Sequence, residues 1–210
     1  MSYWLWIFAA YLTGSFPTGY VCAKVFRGVD IRTFGSGNIG ATNVGRLMGR
    51  PWAIGVTIVD MLKGGIILII ARKAGIESPV VLASIAFASI CGHNFPLWLN
   101  FKGGKGVATT YGVVFFMVPP WSSVAALIAG GIWYIVMRWS KYVSVASILS
   151  LFTLPLLFLL FHLHVSNVLA VSFMAILALV RHRNNIARIR RGEEGRVGEI
   201  SPSKKDDASL

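Results

Sequence analysis

The chain has 210 residues, 55% of them hydrophobic and 13% charged, with a mean hydropathy of +0.67. This mix excludes an ordinary soluble domain and points to an integral membrane protein. The formal charge of +12 lies between apolar segments and in the tail, so it reads as a determinant of membrane orientation, and nucleic acid is not expected as a partner.

The first predicted span is Tyr3 to Cys22. No Lys or Arg precedes it, so it lacks the basic region of a secretory signal and reads as a retained helix. Trp52 to Ala71 and Pro79 to Leu99 each supply the ~20 apolar residues that a crossing helix needs. Gly106 to Val118 is shorter and is stopped by Pro119 and Pro120, which remove donors and fix φ; it predicts a short or tilted span. Trp121 to Met137 follows, and Val143 to Val180 is long enough for a hairpin broken at "HLHVSN", His162 to Asn167. The fold class is all-α and polytopic, with seven transmembrane helices, or five plus a re-entrant pair over Gly106 to Met137.

Placing the N-terminus outside and the C-terminus in the cytoplasm puts seventeen Lys and Arg on the inner side and only Arg72 and Lys73 on the outer, with Lys63 inside a span. That asymmetry sets the orientation. Residues 1–196 form one domain with no internal repeat, and 197–210 form a polar tail expected to be disordered. Cys22 and Cys91 lie in apolar segments without metal-ligand spacing, so both read as packing residues.

Three polar stretches fall on the inner side. In "FGSGNIGATNVGR", Phe34 to Arg46, glycines at 35, 37 and 40 let backbone N–H groups turn toward one point, forming an anion nest. Ser36, Asn38, Thr42 and Asn43 add donors, and Arg46 supplies a planar fork suited to phosphate. In "CGHNFPLWLNFKGGKGVATTYG", Cys91 to Gly112, Lys102 and Lys105 flank Gly103 and Gly104, and Thr109 lies one helical turn beyond Lys105. In "RHRNNIARIRRGEEG", Arg181 to Gly195, His182 and Asn185 share a helix face. Neither glycine stretch is a nucleotide loop: "GSGNIGAT" lacks the Lys after its last glycine, and "GGKG" lacks the Ser or Thr. His93 alone would read as a packing histidine and the basic tail as an interfacial anchor; His162 and His164 lie on the outer side. Asp60 and Lys63, one turn apart in an apolar span, are expected to neutralise each other in a structural role, because an unpaired charge there costs roughly 2.5–3.5 kcal/mol. Gly64 and Gly65 would admit a neighbouring helix at close range.

These stretches, with "DMLKGG" at Asp60 to Gly65, resemble the three signature motifs of the bacterial acyl-phosphate:glycerol-3-phosphate acyltransferases, the PlsY family. The resemblance covers residues 1 to about 196, in the same order and at suitable spacing. It implies a seven-helix enzyme of the bacterial inner membrane, active without nucleotide, coenzyme A or metal. Such an enzyme acylates the 1-hydroxyl of glycerol 3-phosphate from acyl phosphate in the first acylation of phospholipid synthesis. Consistently, the residues five beyond the four histidines are Trp98, Asn167, Leu169 and Ala187, so the HxxxxD dyad of thioester-using acyltransferases is absent.

On this reading Ser36, Gly37, Asn38, Gly40, Ala41, Thr42 and Asn43 hold the phosphoryl group of acyl phosphate. Arg46, Lys105 and Ser144 hold glycerol 3-phosphate, and Gly103, Gly104 and Thr109 are further substrate-binding residues. Asn185 or a nest N–H stabilises the oxyanion. The proton acceptor is His182, with His93 second, or the bound phosphate itself. The acyl chain enters from the bilayer, and no cofactor, metal or obligatory protein partner is expected. The alternative is a transporter or channel for phosphorylated solutes; such proteins bind near mid-membrane between related halves, whereas here the polar clusters share one side.

Overall fold

Proline and glycine set the helix boundaries, and where they fall decides which carbonyls need partners elsewhere. The computed structural model describes residues 2–197, so the expected disorder of the tail from Gly198 onward lies outside the described residues. These contain α1 (Tyr3–Gly14), α2 (Thr18–Arg27), α3 (Ala41–Met48), α4 (Arg50–Lys73), α5 (Pro79–Asn94), α6 (Val107–Met117), α7 (Trp121–Ser140), α8 (Val143–Leu160), α9 (Val165–Arg181) and α10 (Arg183–Arg190). Short 3-10 turns lie at Ile31–Thr33 and Leu97–Leu99, and there is no strand among the described residues.

Four helices are long and apolar enough to cross a bilayer: α4, α5 with its following 3-10 turn, α7 and α8. A fifth candidate is α9 with α10, bent by 48°. The expected first span is not one helix. Pro17 has no N–H to continue the ladder, so α1 stops after 12 residues, about 18 Å of rise. The chain restarts as α2, with the basic residues Lys24 and Arg27 in its last turn. Helix α6, at 11 residues, is likewise too short to cross straight. Part of the first polar loop is itself helical, as α3.

Small residues decide how closely the helices cross. A Cβ on residue 112 would lie 1.9 Å from the carbonyl of Met61, and one on residue 64 would meet Thr109 at 2.8 Å, so α4 and α6 touch backbone to backbone. This agrees with the expectation for Gly64 and Gly65. On α4, Ile58, Leu62, Ile66 and Ile70 are exposed at four-residue spacing, the stripe that lipid would cover, while Asp60, Lys63, Ile67 and Leu68 face inward. The main core joins α1, α4, α5, α6, α7, α8 and α9. A smaller one, of Ala23, Ile31, Ile39, Val44, Met48, Val56 and Leu99, fastens α2, α3 and the loop between them to the start of α4.

Asp60 and Lys63 form the expected ion pair at 2.7 Å, both buried. Lys63 Nζ also donates to the carbonyl of Phe16 at 2.7 Å, and Thr18 Oγ1 donates to Asp60 Oδ1 at 2.8 Å. The pair therefore ties down the break between α1 and α2, with Lys63 holding the Phe16 carbonyl just before Pro17 and Asp60 holding Thr18 just after it.

Candidate active site

Helix α4 begins beside α3, and α5 returns to the same end, so the C-terminus of α5 meets the N-termini of α4 and α6. The three polar stretches converge there. Lys105 experiences the charges of Glu194, Arg188, Arg46 and Arg181, which come from two other motifs. Burial pushes its ammonium down to about 8, Glu194 raises it, and Arg188, Arg46 and Arg181 lower it. Arg46 and Lys105 make no hydrogen bond or ion pair among the described residues, whereas Arg188 pairs with Glu194 at 2.7 Å. Two like charges within electrostatic range and without a counter-ion repel each other, and an anion between them would relieve that repulsion.

The first stretch is bonded differently from the expected nest. Gly35 and Gly37 adopt positive φ, as expected of turn glycines. The N–H groups of three nest residues are nevertheless used internally: Ser36 donates to Asn43 Oδ1 at 3.1 Å, Gly37 to the carbonyl of Phe34 at 2.9 Å, and Gly40 to Asn38 Oδ1 at 2.9 Å. Asn43 is buried, and its Nδ2 donates to the carbonyls of Ile31, Phe34 and Asn38. Asn43 is thus the peg of the loop and not a phosphate donor, and Ser36, Gly37 and Gly40 offer no free backbone donor. The N–H groups of Ala41 and Thr42, which open α3 behind Gly40, remain unbonded among the described residues, and a helix N-terminus attracts anions.

In the second stretch Arg181 holds the loop. Its Nε donates to the carbonyl of Gly104 at 3.0 Å and its Nη2 to that of Gly103 at 2.8 Å, and its guanidinium lies 5.3 Å over the Phe95 ring. Gly103 and Gly104 are buried, so they shape the loop that carries Lys105. A Cβ on residue 104 would lie 2.1 Å from His93 Nε2. His93 itself is buried, its Nδ1 3.8 Å from Asp60 Oδ1. It packs under the glycine loop and is not placed to take a proton from a substrate above it. Thr109 is fully buried with its methyl against α4, which takes it out of the expected substrate contacts.

In the third stretch His182 occupies the break between α9 and α10, buried, with Nδ1 2.7 Å from the carbonyl of Ala178. That contact assigns the proton to Nδ1 and leaves the lone pair on Nε2. Burial first, then the charge of Lys105, disfavours a second proton on the ring. Asn185 Nδ2 donates to Glu194 Oε1 at 2.6 Å, leaving one amide hydrogen. Beyond Glu194 the chain crosses to the turn before α8: Arg196 Nε donates to Tyr142 Oη at 3.1 Å, and Val197 N–H to the carbonyl of Lys141 at 2.9 Å. Ser144 sits at that turn, buried and with Oγ unpartnered; no hydrogen bond joins it to Arg46 or Lys105 among the described residues.

Arg181, Arg188 and Glu194 were missed as site residues. Glu194 carried a signal, being one of only eight acidic residues in the chain. Among the described residues no three His, Cys, Asp or Glu side chains gather so as to hold a metal ion.

Residues 4–192 match the family model described as glycerol-3-phosphate acyltransferase. The glycerol-3-phosphate acyltransferase of Aquifex aeolicus is 45% identical over 188 residues, covering 89% of this chain and 95% of the relative. One from Thermus thermophilus is 40% identical over 190 residues, covering 90% and 92%. The fold matches two crystal structures of PlsY, an integral membrane glycerol 3-phosphate acyltransferase. The glycerol 3-phosphate form gives a TM-score of 0.87 at 41% identity, covering 94% of this chain and 96% of that one. The lysophosphatidic acid form gives 0.85 at 40%, covering 96% and 98%.

Proposed function

Because this chain belongs to the glycerol-3-phosphate acyltransferase family, we propose that it transfers a fatty acyl group from acyl phosphate to the 1-hydroxyl of glycerol 3-phosphate, giving lysophosphatidic acid and inorganic phosphate. The hydroxyl oxygen attacks the acyl carbonyl, an ester C–O bond forms, the bond to phosphate breaks, and the hydroxyl proton leaves with phosphate. An acyl phosphate carries its own good leaving group, so the protein's main task is to hold two anions side by side. The observation that carries this reading is that Arg46 and Lys105, from different polar stretches, act on each other electrostatically while neither makes an ion pair among the described residues.

In this reading the phosphoryl group of acyl phosphate sits on the N–H groups of Ala41 and Thr42, with the Ser36 hydroxyl and the Asn38 amide beside it. Glycerol 3-phosphate lies on Arg46 and Lys105, with the Ser144 hydroxyl at its margin. The remaining amide hydrogen of Asn185 points at the developing oxyanion, a contact worth ~2.7–4 kcal/mol in comparable sites. The proton goes to a phosphate oxygen of the bound substrate. His182 is a poor acceptor among cations, and no carboxylate lies within hydrogen-bond reach of its ring to offset the charge it would gain. We assign it to positioning instead.

The membrane arrangement is part of the proposal. Residues 1–196 form one unit, with α1, α4, α5, α6, α7, α8 and α9 as seven spans, short α1 and α6 included. The N-terminus is outside and the active site faces the cytoplasm of a bacterial inner membrane. The support is the cation count: apart from Lys63, only Arg72 and Lys73 lie toward the other face. Purified protein given acyl phosphate and labelled glycerol 3-phosphate, without ATP or acyl-CoA, tests the reaction. Lysophosphatidic acid with equimolar phosphate is expected; product formed from acyl-CoA and not from acyl phosphate overturns it.

A further inference from the structure

At the end of the bundle opposite the polar loops, a second cavity of about 390 Å³ opens between the C-terminal end of α4 and the N-terminal ends of α5 and α9. Arg72, Glu77, His164 and Asn167 supply its polar wall, and Leu82 and Met117 are among its apolar residues. Nothing in the reaction described above uses these residues.

Three observations point to a ligand. Arg72 donates from one terminal guanidinium nitrogen to the carbonyl of Phe116, yet no acidic side chain lies within 4.0 Å of it among the described residues, so its remaining donors face the cavity without an anion. Asn167 is 2% exposed and lines the same cavity, but its amide makes no hydrogen bond, and Oδ1 is an unpartnered buried acceptor. A buried acceptor left unpaired is destabilising unless something completes it. The cavity also sits where α5 begins behind Ser78, and a helix N-terminus favours negative charge. The His164 ring is turned by Ser166, whose N–H donates to Nδ1 at 3.2 Å, so Nε2 is the nitrogen left for other partners.

A phosphate satisfies Arg72 and the start of α5, while Asn167 Oδ1 calls for a donor. The exposed carboxylate of Glu77 on the rim then favours a headgroup that adds a hydrogen-bonding cation beyond the phosphate, and the apolar wall accommodates the glycerol backbone and the first methylenes. We propose that this cavity is a second lipid site, separate from the active site, which binds the headgroup of a phospholipid bearing a primary ammonium, with the phosphate on Arg72 and the ammonium at Asn167 Oδ1 and Glu77.

The test uses the full-length protein in detergent, titrated by native mass spectrometry with dihexanoyl phosphatidylethanolamine, the matching phosphatidylcholine and phosphatidylglycerol, and free glycerophosphoethanolamine. Phosphatidylethanolamine should bind at least tenfold tighter than the other two lipids and than the soluble headgroup. Arg72→Gln and Asn167→Leu should each weaken it at least tenfold with acyltransferase turnover within twofold of wild type. If Arg72→Gln fails to fold, Glu77→Gln, at an exposed position, should erase the preference for phosphatidylethanolamine over phosphatidylglycerol. Equal binding of all three lipids, or binding unchanged by these variants, overturns the site. Soluble glycerophosphoethanolamine binding as tightly as the lipid overturns its assignment to a membrane ligand. Because turnover is read separately, failure here leaves the acyltransferase reading untouched.

Discussion

Glu194 accepts a hydrogen bond from Asn185 at 2.6 Å through one carboxylate oxygen and pairs with Arg188 at 2.7 Å through the other. One carboxylate therefore sets the pose of the proposed oxyanion donor and keeps an arginine off the space between Arg46 and Lys105. Its neighbour Glu193 pairs with Arg191 in the open, both more than half exposed, where such a pair contributes at most about 1 kcal/mol. Glu194→Ala should lower kcat about 10- to 100-fold with smaller change in KM, and Glu193→Ala should stay within twofold. Steady-state kinetics on both variants checks the contrast.

Lys105 gives the site a pH dependence with a definite sign. Its ammonium is held down to about 8 by burial, so it is charged below that pH and loses its charge above it. Binding of glycerol 3-phosphate should therefore weaken as pH rises through about 8, seen as a rising KM between pH 7 and 9.5. Lys105→Arg keeps the charge at every accessible pH. In that variant the rise should be absent, whatever its effect on the absolute KM.

Gly104 has no room for a side chain. A Cβ there would meet His93 Nε2 at 2.1 Å, and the two carbonyls held by Arg181 would have to move with the loop. Gly104→Ala should cost at least 100-fold in kcat/KM. Gly130, where nothing lies within 4 Å, should accept alanine with activity within twofold.

The Asp60–Lys63 pair should behave as structure. Lys63→Met leaves a buried carboxylate without its cation and takes one donor from the Phe16 carbonyl, a loss of roughly 3–5 kcal/mol for breaking a buried pair from one side. The double variant Asp60→Asn with Lys63→Met removes both charges and should recover part of that loss. Melting temperatures in detergent check this; equal destabilisation of single and double variants would remove the pair from its assigned role.

Much of this arrangement is visible in the residues because it is local. Asp60 and Lys63 are three apart on one helix, and Pro119 and Pro120 end α6 just after Met117; both follow from spacing and backbone chemistry. The break before α2 was missed because Tyr3 to Cys22 is apolar on average, although Pro17 lies within it. The site was legible as three stretches sharing one side, but not in its internal bonding. Asn43 reads as a phosphate donor by residue type, and only the folded loop shows three backbone carbonyls converging on its amide. Arg181 is one more basic residue in the chain order, and its hold on Gly103 and Gly104 spans 78 positions, a distance that no local pattern encodes.

The central claim is that loops distant in the chain form one anion pocket through Arg46 and Lys105. Titration of glycerol 3-phosphate into the purified protein by calorimetry tests it most directly. Arg46→Gln and Lys105→Gln should each raise Kd at least tenfold, and the double variant should show coupling between the two positions. A Kd unchanged in both single variants would contradict the shared pocket.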